Sequence, residues 1–200
     1  MLKVALTGGI ASGKSELITA VRDIPGVETV QADDLAKEIY EPNNPRFEEV
    51  VRLFGDDVKT PGGEIDLAEV RKRIFENGEL RRELEGIAHP YVRERLQNIA
   101  EEKESEGAKL LLVEIPLLFQ TNDVNADEFD YIVLVDAKEE KQINRLTRRD
   151  GISEEEARKR VSLQKLPSTA GDVADFLIDA NDTRKETRRQ GKELISKLLS

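Results

Sequence analysis

The stretch GGIASGKS, Gly8 to Ser15, decides how the rest of this 200-residue chain is read. Val4, Ala5 and Leu6 before it form an apolar run that predicts a short buried strand, and Glu16 to Arg22 after it has the mixed pattern of a helix. The three glycines and the lysine therefore stand at a strand-to-helix turn. Gly8, Gly13, Lys14 and Ser15 fit G-x-x-x-x-G-K-[ST], a phosphate-binding loop, whose expected setting is this strand and this helix. The loop's backbone N–H groups, over Gly8, Gly9, Ala11, Ser12 and Gly13, converge with the positive end of the helix on phosphate oxygens. Lys14 is expected to reach the outer phosphates and to pack against nothing the fold needs, and the Ser15 hydroxyl to hold Mg²⁺. A glycine-rich turn that carries a lysine by chance is the alternative. The context favours a nucleoside triphosphate.

Composition sets outer limits. A chain of this length can bury a substantial apolar centre, as one domain or as a core with an insertion. With no cysteine there is neither a disulfide framework nor a thiolate metal site, and the single histidine, His89, excludes a multi-histidine cluster. The 41 acidic against 31 basic side chains give a net charge of −10, which argues against nucleic acid as a partner. No opening stretch has the parts of a signal peptide. The longest apolar run, Leu110 to Phe119, is broken by Glu114 and Pro116 and is too short to span a bilayer. A cytoplasmic protein without membrane contact is expected, with a monomer as the default state.

Five strands are expected, at Lys3 to Thr7, Val27 to Gln31, Lys109 to Ile115, Tyr131 to Asp136 and Phe176 to Asp179. Near-continuous apolar runs with helical patterns between them predict an α/β fold: a doubly wound core on a parallel sheet. Residues 1–31, 109–137 and 166–200 would form it. The connection 32–108 is several times longer than a crossover needs, so it reads as a helical insertion placed for a second substrate. Phe47, Val50, Val51 and Phe54 predict one helix ending at Gly55; Leu67, Val70 and Ile74 predict another, capped by Asp66 with Glu69 three residues on. Leu80, Leu84 and Ile87 predict a third, and Pro90 the first turn of a fourth.

Residues 138–165 read as two helices joined at Asp150-Gly151, the second opened by a Ser153/Glu156 capping box and ended by Pro167. This segment carries nine Lys or Arg against six Asp or Glu within an acidic chain. A solvated helical face is one reading; a lid that brings arginines to developing phosphoryl charge is the other.

On the acceptor side, Asp33 follows the second strand, where it could orient an acceptor hydroxyl and take its proton; equally, Asp33 or Asp34 could cap a helix Leu35 to Tyr40. Glu114 ends an apolar run, either positioning Mg²⁺ through water or standing as an exposed strand end.

These stretches, taken together, resemble the dephospho-coenzyme A kinases nearly end to end. VALTGGIASGKS is similar to that family's phosphate loop, ADDLAKEIYEP to the segment with its proposed catalytic aspartate, and AHPYV to its histidine-proline element; EIPLLF, RLTRRDGISEEEARKRVSLQ and ADFLIDAND follow in the family's order. The resemblance implies a P-loop kinase of three parts: a nucleotide core, a helical acceptor domain and a lid. It also implies transfer of the ATP γ-phosphoryl group to the ribose 3′-hydroxyl of dephospho-coenzyme A. By position it implies Asp33 as the base, His89, Pro90 and Leu117 beside the acceptor, Arg145 and Arg149 as lid cations, and Asn181 near the adenine.

Some positions depart from the family pattern. Ala11 stands where glycine is usual, which suits alanine only if φ there is negative. Glu16 replaces Ser or Thr and brings a carboxylate toward the phosphates. Gln31, Lys37, Glu114, Gln120, Ala180 and Asp182 are further changes, while Lys14, Ser15 and Asp33 are kept. A kinase of another small acceptor, or a nucleotide-binding module without catalysis, are the competing readings.

Overall fold

The apolar runs become five strands in the computed structural model, which describes residues 1–116, 118 and 126–200. They are β1 (Leu2–Thr7), β2 (Val27–Gln31), β3 (Leu110–Glu114), β4 (Tyr131–Asp136) and β5 (Phe176–Asp179), ordered β2-β3-β1-β4-β5 in one parallel sheet flanked by helices. Three have the expected bounds, β1 starts one residue earlier and β3 is one residue shorter at each end. Val4 to Thr7, Leu110 to Val113 and Ile132 to Val135 are buried, as suits central strands covered on both faces. The register sets Leu6 level with Glu114 on β3 and with Val133 on β4. The chain leaves β1 toward β2 at one edge and leaves β4 toward β5 at the other. The two connections part between β1 and β4, and a crevice opens there at the carboxyl ends, where ligands bind in such sheets.

Helix α1 (Lys14–Val21) packs on α9 (Arg184–Leu198) over one face of the sheet, with Leu17, Val21, Leu194 and Ile195 joining Val4, Leu6 and Val133 in one core. The approach is close enough that a Cβ on Gly191 would lie 2.8 Å from Leu17 Cγ, so glycine there is a packing requirement.

The chain divides into two compact units, Met1–Val30 with Ala100–Ser200, and Gln31–Ile99. The second unit holds α2 (Ala32–Lys37), a 3₁₀ turn Glu38–Tyr40, α3 (Phe47–Phe54), α4 (Leu67–Glu76) and most of α5 (Gly78–Ser105). Its core is Ile39, Phe47, Val50, Val51, Phe54, Val58, Val70, Leu84 and Tyr91, so the helical spacing of α3 is borne out, as is its stop at Gly55, where φ is +91°. Asp66 caps α4 by accepting from the N–H groups of Ala68 and Glu69, at 2.9 and 3.2 Å. Glu69 accepts from Arg73 at 2.7 Å, which ties it along α4.

The expected third and fourth helices are one. α5 runs continuously with Pro90 inside it, although an interior proline removes one backbone hydrogen bond and costs roughly 3 kcal/mol. Leu84 on one side of it and Tyr91, Val92 and Leu96 on the other are buried, and burial of that order per large side chain, about 1.5–3 kcal/mol each, offsets the defect.

The basic segment forms α6 (Glu139–Asp150) and α7 (Glu154–Leu163), followed by the short α8 (Ala170–Val173). Gly151, with φ +67°, ends α6 in the left-handed conformation. Ser153 caps α7 by accepting from Glu156 N–H at 3.2 Å; the Glu156 carboxylate accepts from Arg160 at 3.0 Å, so only half of the capping box forms. α7 stops at Leu163, four residues before Pro167. Ile143, Leu146, Ala157 and Val161 make a small core between α6 and α7, and Ile10 and Ala11 of the glycine-rich loop pack onto it.

Candidate active site

The loop Gly8 to Gly13 turns the chain from β1 into α1 by backbone geometry that the side chains barely allow. A Cβ on Gly8 would lie 2.4 Å from the Val135 carbonyl oxygen, so a larger residue would push the loop off β4. Ala11 has φ +55°, against the expectation that alanine here implies a negative φ. For an L-residue the left-handed region costs roughly 1–2 kcal/mol. The packing of Ala11 on the α6–α7 core and the hold on its carbonyl described below keep it there. Ala11→Gly is therefore expected to raise stability by about 0.5–1 kcal/mol, the relieved strain exceeding the entropy glycine adds to the unfolded chain. Thermal melting should move up by about 1–3 °C; an unchanged or lower midpoint would mean that the methyl contact outweighs the strain.

Lys14 is 7% exposed, and its Nζ donates to the carbonyls of Gly8 at 2.8 Å and Gly9 at 3.1 Å, with the Glu114 carboxylate 3.9 Å away. The expectation that it packs against nothing the fold needs is thus corrected: its ammonium ties the loop together. The Glu114 side chain, 12% exposed, is a half-buried carboxylate at the carboxyl end of β3, and the exposed-strand-end alternative falls. Ser15 is exposed in the first turn of α1. Ser12 is buried, and its Oγ has no hydrogen-bond partner among the described residues. Glu16 is held by α9: Arg188 donates to its carboxylate at 2.7 Å and Arg184 lies 3.4 Å away.

Arg145 is the main contact between α6 and the loop. Its guanidinium donates to the carbonyls of Ala11 at 3.1 Å and Ser12 at 2.7 Å and to that of Ala180. Burial, then repulsion by Arg184, draws its pKa below the usual arginine value, though not so far as to discharge a guanidinium. Arg149, one turn on, forms a bidentate pair with Asp150 at 2.6 and 3.0 Å; that pair holds the Asp150 carboxyl below the usual carboxylate range. Asn181 accepts from Lys138 N–H at 2.7 Å and donates to Asp179 at 2.7 Å, pinning the start of α6 to the end of β5. These are bonds to carbonyls and to loop ends, which depend on tertiary geometry and leave no mark in the sequence. Gln142 on α6 escaped the sequence reading as well: it is buried against Gly9, where a Cβ would come within 2.5 Å of its Nε2.

In the second unit, α2 begins at Ala32, with Gln31 at the N-cap and no side-chain cap bond. Asp33 and Asp34 both lie inside the first turn, so the capping alternative for either is not observed. Asp34 pairs with Lys37 at 2.6 Å, whereas the exposed Asp33 side chain makes no hydrogen bond or ion pair among the described residues. His89 and Pro90 lie in the middle of α5, His89 half-buried and Pro90 exposed. Leu117 lies outside the described residues, as does Gln120. A cavity of about 760 Å³ that the sequence did not announce is lined by Glu38, Arg46, Tyr91 and Arg95 among others. One Glu38 oxygen accepts from Tyr91 Oη at 2.5 Å and Arg95 Nε at 3.0 Å.

Ser15 and Glu114 suit Mg²⁺: one hydroxyl and one carboxylate are what a magnesium ion takes from protein when phosphate oxygens and water complete its shell. A loop of backbone donors, an ammonium and a carboxylate can hold and polarise a terminal phosphoryl group.

A family model described as dephospho-CoA kinase matches residues 2–186. The dephospho-CoA kinase of Shouchella clausii is 36% identical over 98% of this chain and 98% of its own. Among solved structures, a Thermus thermophilus protein superimposes with a TM-score of 0.83 at 27% identity, covering 100% of this chain and 98% of the other. A Campylobacter jejuni dephospho-CoA kinase does so with 0.73 at 23%, over 98% and 96%, which supports the fold.

Proposed function

This chain belongs to the dephospho-CoA kinase family, and we propose that its residues Lys14 and Asp33 carry the transfer of the ATP γ-phosphoryl group to the 3′-hydroxyl of dephospho-CoA, giving CoA and ADP. The observation behind the donor half is the loop Gly8 to Ser15 with a buried lysine at its centre. The observation behind the acceptor half is Asp33, two residues beyond β2, whose carboxylate has no partner among the described residues.

The loop's N–H groups hold the phosphate chain, and Lys14 turns from the carbonyls of Gly8 and Gly9 onto the outer phosphates. Ser15 would hold Mg²⁺ and Glu114 would position it through water, the ion supplying positive charge to the phosphoryl oxygens. Asp33 orients the acceptor hydroxyl and takes its proton as the new O–P bond forms and the bond from the γ-phosphorus to the bridging oxygen breaks, leaving the charge on ADP. Arg145, fixed on the carbonyls of Ala11 and Ser12, positions the loop. Arg149 reaches a phosphoryl oxygen only by leaving Asp150.

In the same proposal residues 32–108 are the acceptor domain and 138–165 the lid, with His89, Pro90 and Leu117 beside the acceptor and Asn181 near the adenine. Among the described residues no helix is long and apolar enough to cross a membrane. We place the enzyme in the cytoplasm, where its phosphoryl donor is kept at high concentration. The test is ADP release with and without dephospho-CoA, with CoA identified as product. Release that does not depend on dephospho-CoA, or that depends equally on adenosine or AMP, overturns the assignment.

A further inference from the structure

Gln142 is 9% exposed, and its carboxamide makes no hydrogen bond among the described residues. Among the described residues the only fully enclosed side-chain polar atom without a partner is Ser12 Oγ, so the Gln142 amide keeps some contact with solvent and its donor is still open to a partner in the protein. It abuts Gly9, with Nε2 only 2.5 Å from where a Cβ on that residue would stand. Gln142 and Gly9 both line a cavity of about 460 Å³, with Asp136, Gln164 and Lys165, which leaves the amide room to turn. The helix itself cannot drift away from the loop, because Arg145, three residues along, is bonded to the carbonyls of Ala11 and Ser12.

The partner emerges from what Lys14 must do. Its Nζ now donates to the carbonyls of Gly8 and Gly9, and both glycines are buried. When Lys14 moves onto phosphate oxygens, the Gly9 carbonyl keeps, among the described residues, the Ser12 N–H at 3.2 Å. The unused amide donor of Gln142 stands against the same residue. We propose that Gln142 is a positioning residue that takes over the Gly9 carbonyl when Lys14 leaves it for the nucleotide, so that the occupied loop holds its shape. Gln142 then acts through the loop without touching the substrate. The inference rests on ATP binding at this loop, a premise that binding by the unaltered protein checks separately.

Gln142→Met keeps the side-chain length and removes the donor. Titration calorimetry with ATP should show affinity about 3- to 10-fold weaker than in the unaltered protein, the loss expected for one neutral hydrogen bond. Without ATP, the variant should melt at the same temperature or higher, since the amide it removes makes no hydrogen bond among the described residues and methionine is the more apolar occupant of the same space. The two signs together are the signature, because a residue that merely supports the fold would lower the melting point without ligand and leave affinity alone. In a Lys14→Met background the Gly9 carbonyl is vacated from the start and Gln142 should already hold it; adding Gln142→Met there should lower the melting point by about 2–4 °C. Unchanged ATP affinity in Gln142→Met would overturn the proposal, and so would a melting point that is insensitive to Gln142 in the Lys14→Met protein.

Discussion

Lys14→Met is expected to lower phosphoryl transfer roughly 10²- to 10³-fold, about 2.7–4 kcal/mol of barrier, the loss seen when one preorganised donor to developing charge is removed. Methionine keeps the stem that fills the buried space beneath the loop, so the variant reports on the ammonium alone. Some stability must go with it, since the ammonium also donates to the carbonyls of Gly8 and Gly9; two such bonds are worth about 1–3 kcal/mol together. The loss of turnover should therefore be measured well below the melting temperature of the variant. Lys14→Arg should fail too, because a planar guanidinium is larger than the enclosed site of a side chain only 7% exposed and presents its donors in a different geometry. Turnover within about 3-fold of the unaltered enzyme in either variant would remove the phosphate-loop assignment.

Those two carbonyl bonds also show where sequence reading stops. The spacing Gly8, Gly13, Lys14, Ser15 is a local requirement, so it was legible, and so were Tyr131–Asp136 and Phe176–Asp179, whose bounds follow from apolar runs closed by polar stretches, and the β-branched stretch Val27–Gln31. Phe47, Val50, Val51 and Phe54 were legible because a helix with one buried face writes its period into the chain. Pro90 was misread because its local preference for a helix start lost to burial on both sides of it, which is decided by residues elsewhere. Ala11 was misread for a related reason: the left-handed turn is imposed by the packing of Ile10 and Ala11 on α6 and α7 and by Arg145. The grip of Arg145, the tie from Glu16 to Arg188 and the position of Gln142 join residues more than a hundred apart along the chain. Pattern and spacing hold no trace of such pairs. The catalytic proposal for Asp33 is intermediate, since the sequence left it level with a capping role and the local backbone then removed that competitor.

Asp33→Asn is the sharper test because the structure removes the helix-cap role that would compete with the proposed role in the reaction. Gln31 occupies the N-cap, and Asp33 accepts no capping bond. The substitution therefore removes only a negative charge from the first turn of α2, worth about 0.3–1 kcal/mol at an exposed position. Asp34→Asn is the matched control, as it removes the same charge from the same turn and also breaks the pair with Lys37; it should cost as much stability or more and leave turnover within about 2-fold. If Asp33 accepts the proton of the acceptor hydroxyl, Asp33→Asn should lose roughly 10²- to 10⁴-fold in turnover, or about 3–5 kcal/mol of barrier. The lower end is expected, since a loose phosphoryl-transfer transition state places little demand on the base until late. ATP affinity should be nearly unchanged. Raising the pH should not restore the rate, because the asparagine amide does not titrate in the accessible range. Should Asp33→Asn turn over like Asp34→Asn, Asp33 is a surface residue of α2 and the proton of the acceptor leaves by another route.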